Sequence, residues 1–107
     1  MGVGAKAIFV TGGASGIGRA VAERFAKAGW FVGLADVNDA GMAETAGLLP
    51  AGMSESYRLD VRDGDAWDAV LAEFCAKTGG RLDVLFNNAG VARGGKFALS
   101  SRADHDL

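Results

Sequence analysis

The sequence predicts an α/β fold, a doubly wound parallel sheet with its strands in the order 3-2-1-4. Three observations predict it. Short apolar runs of strand length alternate with longer stretches of helical periodicity. Glycines, 17 of them against a single proline, punctuate these runs and follow no fixed period. Each apolar run also ends on polar or glycine residues of distinctive type, as parallel strands do when their carboxyl ends gather at one edge.

Residues 6–11 read as the first strand, built on Ala7-Ile8-Phe9-Val10. Thr11 to Gly18, Thr-Gly-Gly-Ala-Ser-Gly-Ile-Gly, turns the chain into a helix. From about Ser15 to Ala28, Ile17, Ala20, Val21, Phe25 and Ala28 recur on one side, which is expected to face the sheet. Glu23 and Lys27 stand at a favourable i,i+4 spacing, and Gly29 is placed to end the helix. The run 30–35, Trp-Phe-Val-Gly-Leu-Ala, stops at Asp36 and suits a parallel strand buried on both faces. Asn38 or Asp39 can cap a second helix that reaches Leu49 ahead of Pro50, although Gly41 and Gly47 weaken its pattern. Glu55 to Asp60 is a short third strand. Asp63 caps the third helix, whose stripe of Trp67, Val70, Leu71, Phe74, Cys75 and Thr78 is the clearest in the chain, and Gly79-Gly80 ends it. Leu82 to Phe86 is the fourth strand, running into Asn87-Asn88-Ala89-Gly90. Ser101 and Asp104 have the spacing of a capping box for one more helix. Right-handed crossovers then place the switch point between strands 1 and 4.

Composition narrows the function classes. The chain has 107 residues, 50% of them hydrophobic and 22% charged, which suits one packed domain and not a disordered segment. A net charge of −2 without any Lys/Arg cluster argues against a nucleic-acid surface or an anionic membrane. No apolar run approaches a membrane span and no signal-peptide pattern opens the chain, so the cytoplasm is expected. Cys75 is alone, which leaves no internal disulfide and no multi-cysteine metal site. His105 reads as a solvated residue between Asp104 and Asp106. Asp63, Asp65 and Asp68 read as helix-capping acids, because no glutamate completes a calcium loop. No metal is expected.

Chemistry concentrates at the strand ends. A strand that turns through glycines into a helix N-terminus makes a phosphate cradle, since the first helical amides lack partners and the dipole favours an anion. Gly12, Gly16 and Gly18 mark that turn. Gly2-Val3-Gly4 has a similar lettering but no strand before it, and is set aside. Asp36, roughly 20 residues beyond the turn, suits a ribose diol. Asp60-Val61 follows strand 3 and Asn87 to Gly90 follows strand 4. Taken singly, Asp36 and Asp60 are also ordinary turn or cap residues, and Asn-Ala-Gly an ordinary turn. All of them together on one edge fit a dinucleotide better than a mononucleotide.

Thr11 to Gly18, Asp36, Asp60-Val61 and Asn87-Asn88-Ala89-Gly90 together resemble the Rossmann-like nucleotide-binding half of the short-chain dehydrogenase/reductase family, from Lys6 onward. The resemblance implies an oxidoreductase that uses NAD to interconvert a small alcohol and a carbonyl compound. It implies that Gly12, Ser15, Gly16, Ile17 and Gly18 meet the pyrophosphate and its ribose, and that Asp36, with Val37 beside it, holds the adenosine ribose. Asp60 would read the adenine amino group and Val61 a ring nitrogen. Asn87, Ala89 and Gly90 would line the path to nicotinamide. Val37 and Ser15 offer no cation for a 2′-phosphate, and Arg19 is the one basic residue nearby, so NAD is expected over NADP. The family's catalysis rests on a serine and a Tyr-x-x-x-Lys pair; here Tyr57, the one tyrosine, is followed at that spacing by Val61. Residues 1–107 are therefore expected to be the NAD-binding portion of a Rossmann-fold domain, incomplete at the C-terminus and inactive alone, within an intact homo-oligomer. Two other classes remain open: a non-catalytic dinucleotide-binding module or sensor, and an S-adenosylmethionine methyltransferase, which the wide glycine spacing and Asn-Asn-Ala-Gly disfavour.

Overall fold

The computed structural model describes residues 5–88. The chain runs β1 (Ala7–Thr11), α1 (Gly16–Lys27), β2 (Phe31–Asp36), α2 (Asp39–Gly47), β3 (Ser54–Arg58), α3 (Gly64–Thr78) and β4 (Val84–Asn87). All three strand pairings are parallel and the order is β3-β2-β1-β4, as the sequence predicts. Register sets Thr11 opposite both Ala35 and Asn87, and Asp36 opposite Arg58. The four strands thus finish level, and their following loops rise from one edge.

Several boundaries shift by one or two residues, and α2 stops at Gly47 ahead of the expected Leu49. β3 ends at Arg58 and not at Asp60, because the chain turns where the Asp60 carbonyl accepts the Asp63 amide at 2.9 Å; the Leu59 amide still reaches the Asp36 carbonyl at 3.0 Å. β4 starts at Val84, and Leu82 is exposed ahead of it. Ala89, Gly90 and the expected helix from Ser101 lie outside the described residues.

Alternation along the strands builds a two-sided core. Ile8, Val10, Val32 and Leu34 pack with Ala22, Ala26, Met42 and Leu49 beneath α1 and α2. Ala7, Phe9, Phe31 and Ala35 pack with Tyr57, Leu59, Trp67 and Phe74 beneath α3. Helices therefore cover both faces, which lets β1 and β2 be buried nearly throughout.

The buried side of α1 departs from the predicted one. Gly18, Ala22 and Ala26 are buried, Val21 and Phe25 pack partly, while Ala20 and Ala28 are exposed and Ile17 is 64% exposed. Small residues spaced at i,i+4 let the helix axis come close to the sheet, and an apolar count alone cannot see that requirement. The helix ends as expected at Gly29, with φ +92°. The Trp30 amide reaches back to the Phe25 carbonyl at 3.0 Å and the Gly29 amide to Ala26 at 3.0 Å, the two bonds of a Schellman motif. The Phe25 and Trp30 rings meet edge to face at 4.9 Å, closing that corner.

The α3 face is aromatic. Phe74 lies 5.3 Å from Phe9, 5.8 Å from Phe31 and 6.3 Å from Tyr57 between ring centroids. Gly33 leaves room for it: a Cβ there would stand 2.7 Å from the rings of both Phe74 and Phe9. Tyr57 is sealed in the same cluster, its hydroxyl buried with no hydrogen-bond partner among the described residues. Burial first, then the carboxylates of Glu55 and Glu73, pushes its phenol from 10.0 up to about 12.

Gly33→Ala is expected to destabilise the protein by about 1–3 kcal/mol through overpacking against Phe9 and Phe74, measured by urea unfolding. An unchanged midpoint would mean that α3 shifts freely and that the aromatic wedge is not a rigid one.

Candidate functional site

The loop after β1 is held by the end of β2. The Gly12 and Gly13 amides both donate to the Ala35 carbonyl, at 2.8 and 3.3 Å. The Ala14 amide donates to Asp36 Oδ2 at 3.1 Å. Asp36 Oδ1 accepts from the Val37 amide at 2.7 Å and the Asn38 amide at 3.1 Å. The carboxylate is thus oriented by three backbone donors before any ligand arrives. Asn38 in turn caps α2, its Oδ1 accepting the Gly41 amide at 2.9 Å.

The three motif glycines answer to different causes. At Gly12, φ is +70° and a Cβ would stand 2.7 Å from Asn88 Nδ2. At Gly18 a Cβ would run into the Gly12 carbonyl oxygen. At Gly16, φ is +58°, a conformation few side chains adopt, yet among the described residues a Cβ would meet nothing within 4 Å. The protein itself requires the first and last. Gly16 borders space that no described residue fills.

That space faces the amino end of α1. Asn38 and Asp63 cap α2 and α3 with side-chain hydrogen bonds, and each helix carries an aspartate in its first turn. Ser15 makes no such bond at α1, and no acid stands in its first turn. The amides of Gly16, Ile17 and Gly18 are the ones a helix cannot satisfy internally, so this end can receive an anion.

Gly12, Asp36, Val37, Asp60 and Val61 line one cleft of about 290 Å³, together with Ala35, Leu59 and Arg62. Five sequence-predicted positions are therefore brought together. Val37 is 51% exposed here, an apolar side chain at the mouth of a polar cleft. Asn87, at the end of β4 on the other side of β1, does not line that cleft; its Oδ1 accepts from Thr11 Oγ1 at 2.9 Å. Ser15, Gly16, Ile17 and Gly18 lie along the start of α1, whereas Ala89 and Gly90 lie outside the described residues.

Sequence reasoning missed Arg62. Its guanidinium grips Asp60 through both carboxylate oxygens, Nε to Oδ1 at 3.0 Å and Nη2 to Oδ2 at 2.9 Å, and its amide also reaches Oδ1 at 3.0 Å. The i,i+2 spacing of an acid and a base across a turn was the available signal. This pairing, chiefly the side-chain bonds, holds the Asp60 carboxyl down at about 2 against 3.8. The Asp60 carbonyl points into the turn toward the Asp63 amide, so the Val61 N–H of the same trans peptide points out of it. Val61 is fixed from behind as well, its carbonyl accepting from Trp67 Nε1 at 2.8 Å. Arg19, the other cation near the turn, aims at α2 and away from this cleft, bonding Thr45, Ala14, Gly41 and Glu44. No helix among the described residues is long and apolar enough to cross a membrane.

Known proteins match this chain closely. The family model described as short chain dehydrogenase matches residues 6–106. Meso-2,3-butanediol dehydrogenase of Serratia marcescens is 37% identical over 99 residues, which span 92% of this chain and 39% of that protein. Carveol dehydrogenase from Mycobacterium avium, solved in complex with NAD, is similar with a TM-score of 0.75 and 30% identity, over 88% of this chain and 38% of that one. A short chain dehydrogenase from Bacillus anthracis str. 'Ames Ancestor' gives 0.73 and 32%, over 78% of this chain and 34% of that one. The chain thus spans between about a third and two fifths of the length of these proteins.

Arg62→Ala is expected to raise the Asp60 titration from about 2 toward the ordinary 3.8, with the Arg62 amide bond retained, as read by carboxyl carbon NMR. The sign follows from linkage: a depressed carboxyl contributes stability above the unfolded value and loses it as pH falls through the folded one. An Asp60 that still titrates near 2 without the guanidinium would overturn this account of the pair.

Proposed function

The chain belongs to the short-chain dehydrogenase family, and from that premise we propose that it forms the dinucleotide-binding half of an oxidoreductase that uses NAD(H) to interconvert an alcohol and a carbonyl compound. The observation that carries this reading is the amino end of α1 beside Gly16, without a side-chain cap, where positive φ and space free of any described residue coincide. A pyrophosphate there accepts from the amides of Gly16, Ile17 and Gly18 and from the Ser15 hydroxyl. Asp36, already oriented by three amides, accepts from the adenosine ribose diol, and Val37 covers the sugar. Asp60 accepts from the adenine amino group and the Val61 amide donates to the ring. Asn87 would line the way to nicotinamide, and Ala89 and Gly90 are assigned there on the family resemblance alone; the nicotinamide, when bound, would give or take the hydride.

Preference for NAD over NADP follows from charge. The Asp36 carboxylate occupies the neighbourhood of a 2′-phosphate, and like charges at close range repel. Arg19 is turned to α2 and Arg62 is paired with Asp60, so neither stands free to neutralise that phosphate. The NAD-bound relative supports the same cofactor. Proton transfer is assigned to a serine and a Tyr-x-x-x-Lys pair outside residues 1–107, since Tyr57 is locked in the core. The intact protein is read as a cytoplasmic homo-oligomer acting on a small alcohol or carbonyl substrate. The buried Tyr57 also favours a second reading, a non-catalytic dinucleotide-binding module; dehydrogenase turnover by the full-length protein decides between them.

Calorimetric titration of the full-length protein is expected to show tighter binding of NAD than of NADP. Asp36→Asn, which keeps an oxygen for the Val37 and Asn38 amides while removing the charge, is expected to narrow that ratio by about tenfold. Tighter binding of NADP by the native protein would overturn the reading of Asp36.

Gly16→Ala is expected to weaken NAD binding at least about tenfold, from the strained φ and the intruding Cβ. Gly52→Ala, with a similar positive φ of +80° and equal space among the described residues, in the turn ahead of β3 and outside the cleft lining, should leave binding unchanged. Equal losses in two folded variants would remove the phosphate assignment.

A further inference from the structure

Every peptide group between Gly12 and Ala14 is engaged by the scaffold on at least one side, and two side chains outside the motif complete the set. Thr45, fully buried on α2, donates through Oγ1 to the Gly13 carbonyl at 2.7 Å, 32 residues back along the chain. The same hydroxyl accepts from Arg19 Nε at 2.9 Å. Arg19 Nη2 donates to the Ala14 carbonyl at 2.6 Å and to the Gly41 carbonyl at 3.3 Å, and pairs with Glu44 at 3.2 Å. A threonine inside a helix ordinarily bonds a carbonyl of its own preceding turn or solvent. This one reaches across to another loop. Gly41 permits the approach, since a Cβ there would stand 2.8 Å from Ala14 Cβ and 2.9 Å from the Ala14 carbonyl.

The consequence is directional. Carbonyl oxygens repel an anion, so a phosphate-binding turn must present N–H groups and turn its carbonyls elsewhere. Thr45 and Arg19 draw the Gly13 and Ala14 carbonyls onto α2. Within a trans peptide the C=O and N–H point in opposite directions. With the Ala14 carbonyl held by Arg19, the Ser15 N–H therefore points away from α2, toward the open amino end of α1. The 13–14 peptide is held at both ends, its carbonyl by Thr45 and its amide by Asp36.

We propose that Thr45 and Arg19 are positioning residues for the pyrophosphate: a latch, made by Thr45 of α2 and Arg19 of α1, that orients the peptides of the phosphate-binding turn without touching the ligand. The proposal rests on the dinucleotide reading above and adds to it two residues that lie outside the glycine motif's own contacts with phosphate. Neither contributes a group to the cleft lined by Asp36 and Asp60. Their effect falls on the part of the ligand that carries phosphate, since Asp36 keeps the Val37 and Asn38 amides when the latch is removed.

The test compares adenosine with ADP by calorimetry on the full-length protein. Both ligands engage Asp36 and Asp60, and only ADP engages the turn. In the native protein ADP binds more tightly than adenosine. Thr45→Val keeps the shape and removes the hydroxyl; it is expected to cut that gain about tenfold while leaving adenosine affinity unchanged. Arg19→Met gives the same pattern and serves if the valine variant does not fold. Thr45→Ser restores the gain. Leu49→Ala, which removes a buried side chain at the far end of α2, lowers the melting temperature but leaves the gain intact. An undiminished gain in Thr45→Val and Arg19→Met, or an equal loss in Leu49→Ala, overturns the latch. A native protein that gains nothing from the phosphates overturns the dinucleotide reading, and the latch with it.

Discussion

The carboxyl edge of the sheet depends on one carbonyl and one carboxylate, the Ala35 oxygen and the Asp36 side chain. Between them they receive the amides of Gly12, Gly13 and Ala14 as the chain leaves β1. Buried peptide donors must find partners, and a tight turn beside a parallel strand has few to choose from. The end of β2 therefore acts as the template on which the turn is cast. An aspartate at that position serves the turn whether or not a ligand is present, so its structural role stands by itself and the ribose contact proposed for Asp36 comes in addition to it. The positive φ at Gly12 follows from the same geometry, and the exclusion of a side chain at Gly18 follows from the carbonyl that Gly12 turns inward.

Close approach is the second constraint, and it appears wherever a helix meets the sheet or the turn. Gly18, Ala22 and Ala26 lower α1 onto the aliphatic face, Gly41 lowers α2 onto Ala14, and Gly33 opens the other face to Phe74. The result is a sheet with two unlike surfaces, one covered by small and branched aliphatic side chains and the other by interlocking rings. Rings on the α3 side carry Tyr57 with them, and that burial, ahead of the Glu55 and Glu73 carboxylates, lifts the phenol of the chain's only tyrosine from 10.0 to about 12.

Much of this was legible in the residues. Strand order follows from the alternation of apolar runs and helical stretches, and the helix limits follow from Asn38, Asp63, Gly29 and Gly79, each of which does what its side chain or its lack of one allows. Gly12, Asp36, Val37, Asp60 and Val61 converge on one cleft because parallel register brings strand ends level, a geometric consequence of topology that sequence order already contains. The buried side of α1 was not legible, because apolar periodicity rewards Ile17 and Ala20 while the packing distance selects Gly18 and Ala22. Thr45 and Arg62 escaped for a related reason. Their partners are backbone atoms or a neighbour across a turn, and a one-dimensional pattern of polar residues does not say which carbonyl will come within reach.

The Trp67 indole, pinned to the Val61 carbonyl, connects the aromatic interior directly to the loop that floors the cleft. The other tryptophan, Trp30, sits ahead of β2 at the opposite end of the sheet, against Phe25 and the Lys6 ammonium. The molecule thus carries one intrinsic fluorophore beside its carboxyl edge, placed to sense displacement of the 60–62 segment, and another at the opposite end of the sheet, placed to serve as an internal reference. Occupancy of the cleft can be followed optically in the unlabelled protein, with no change to any residue that forms it.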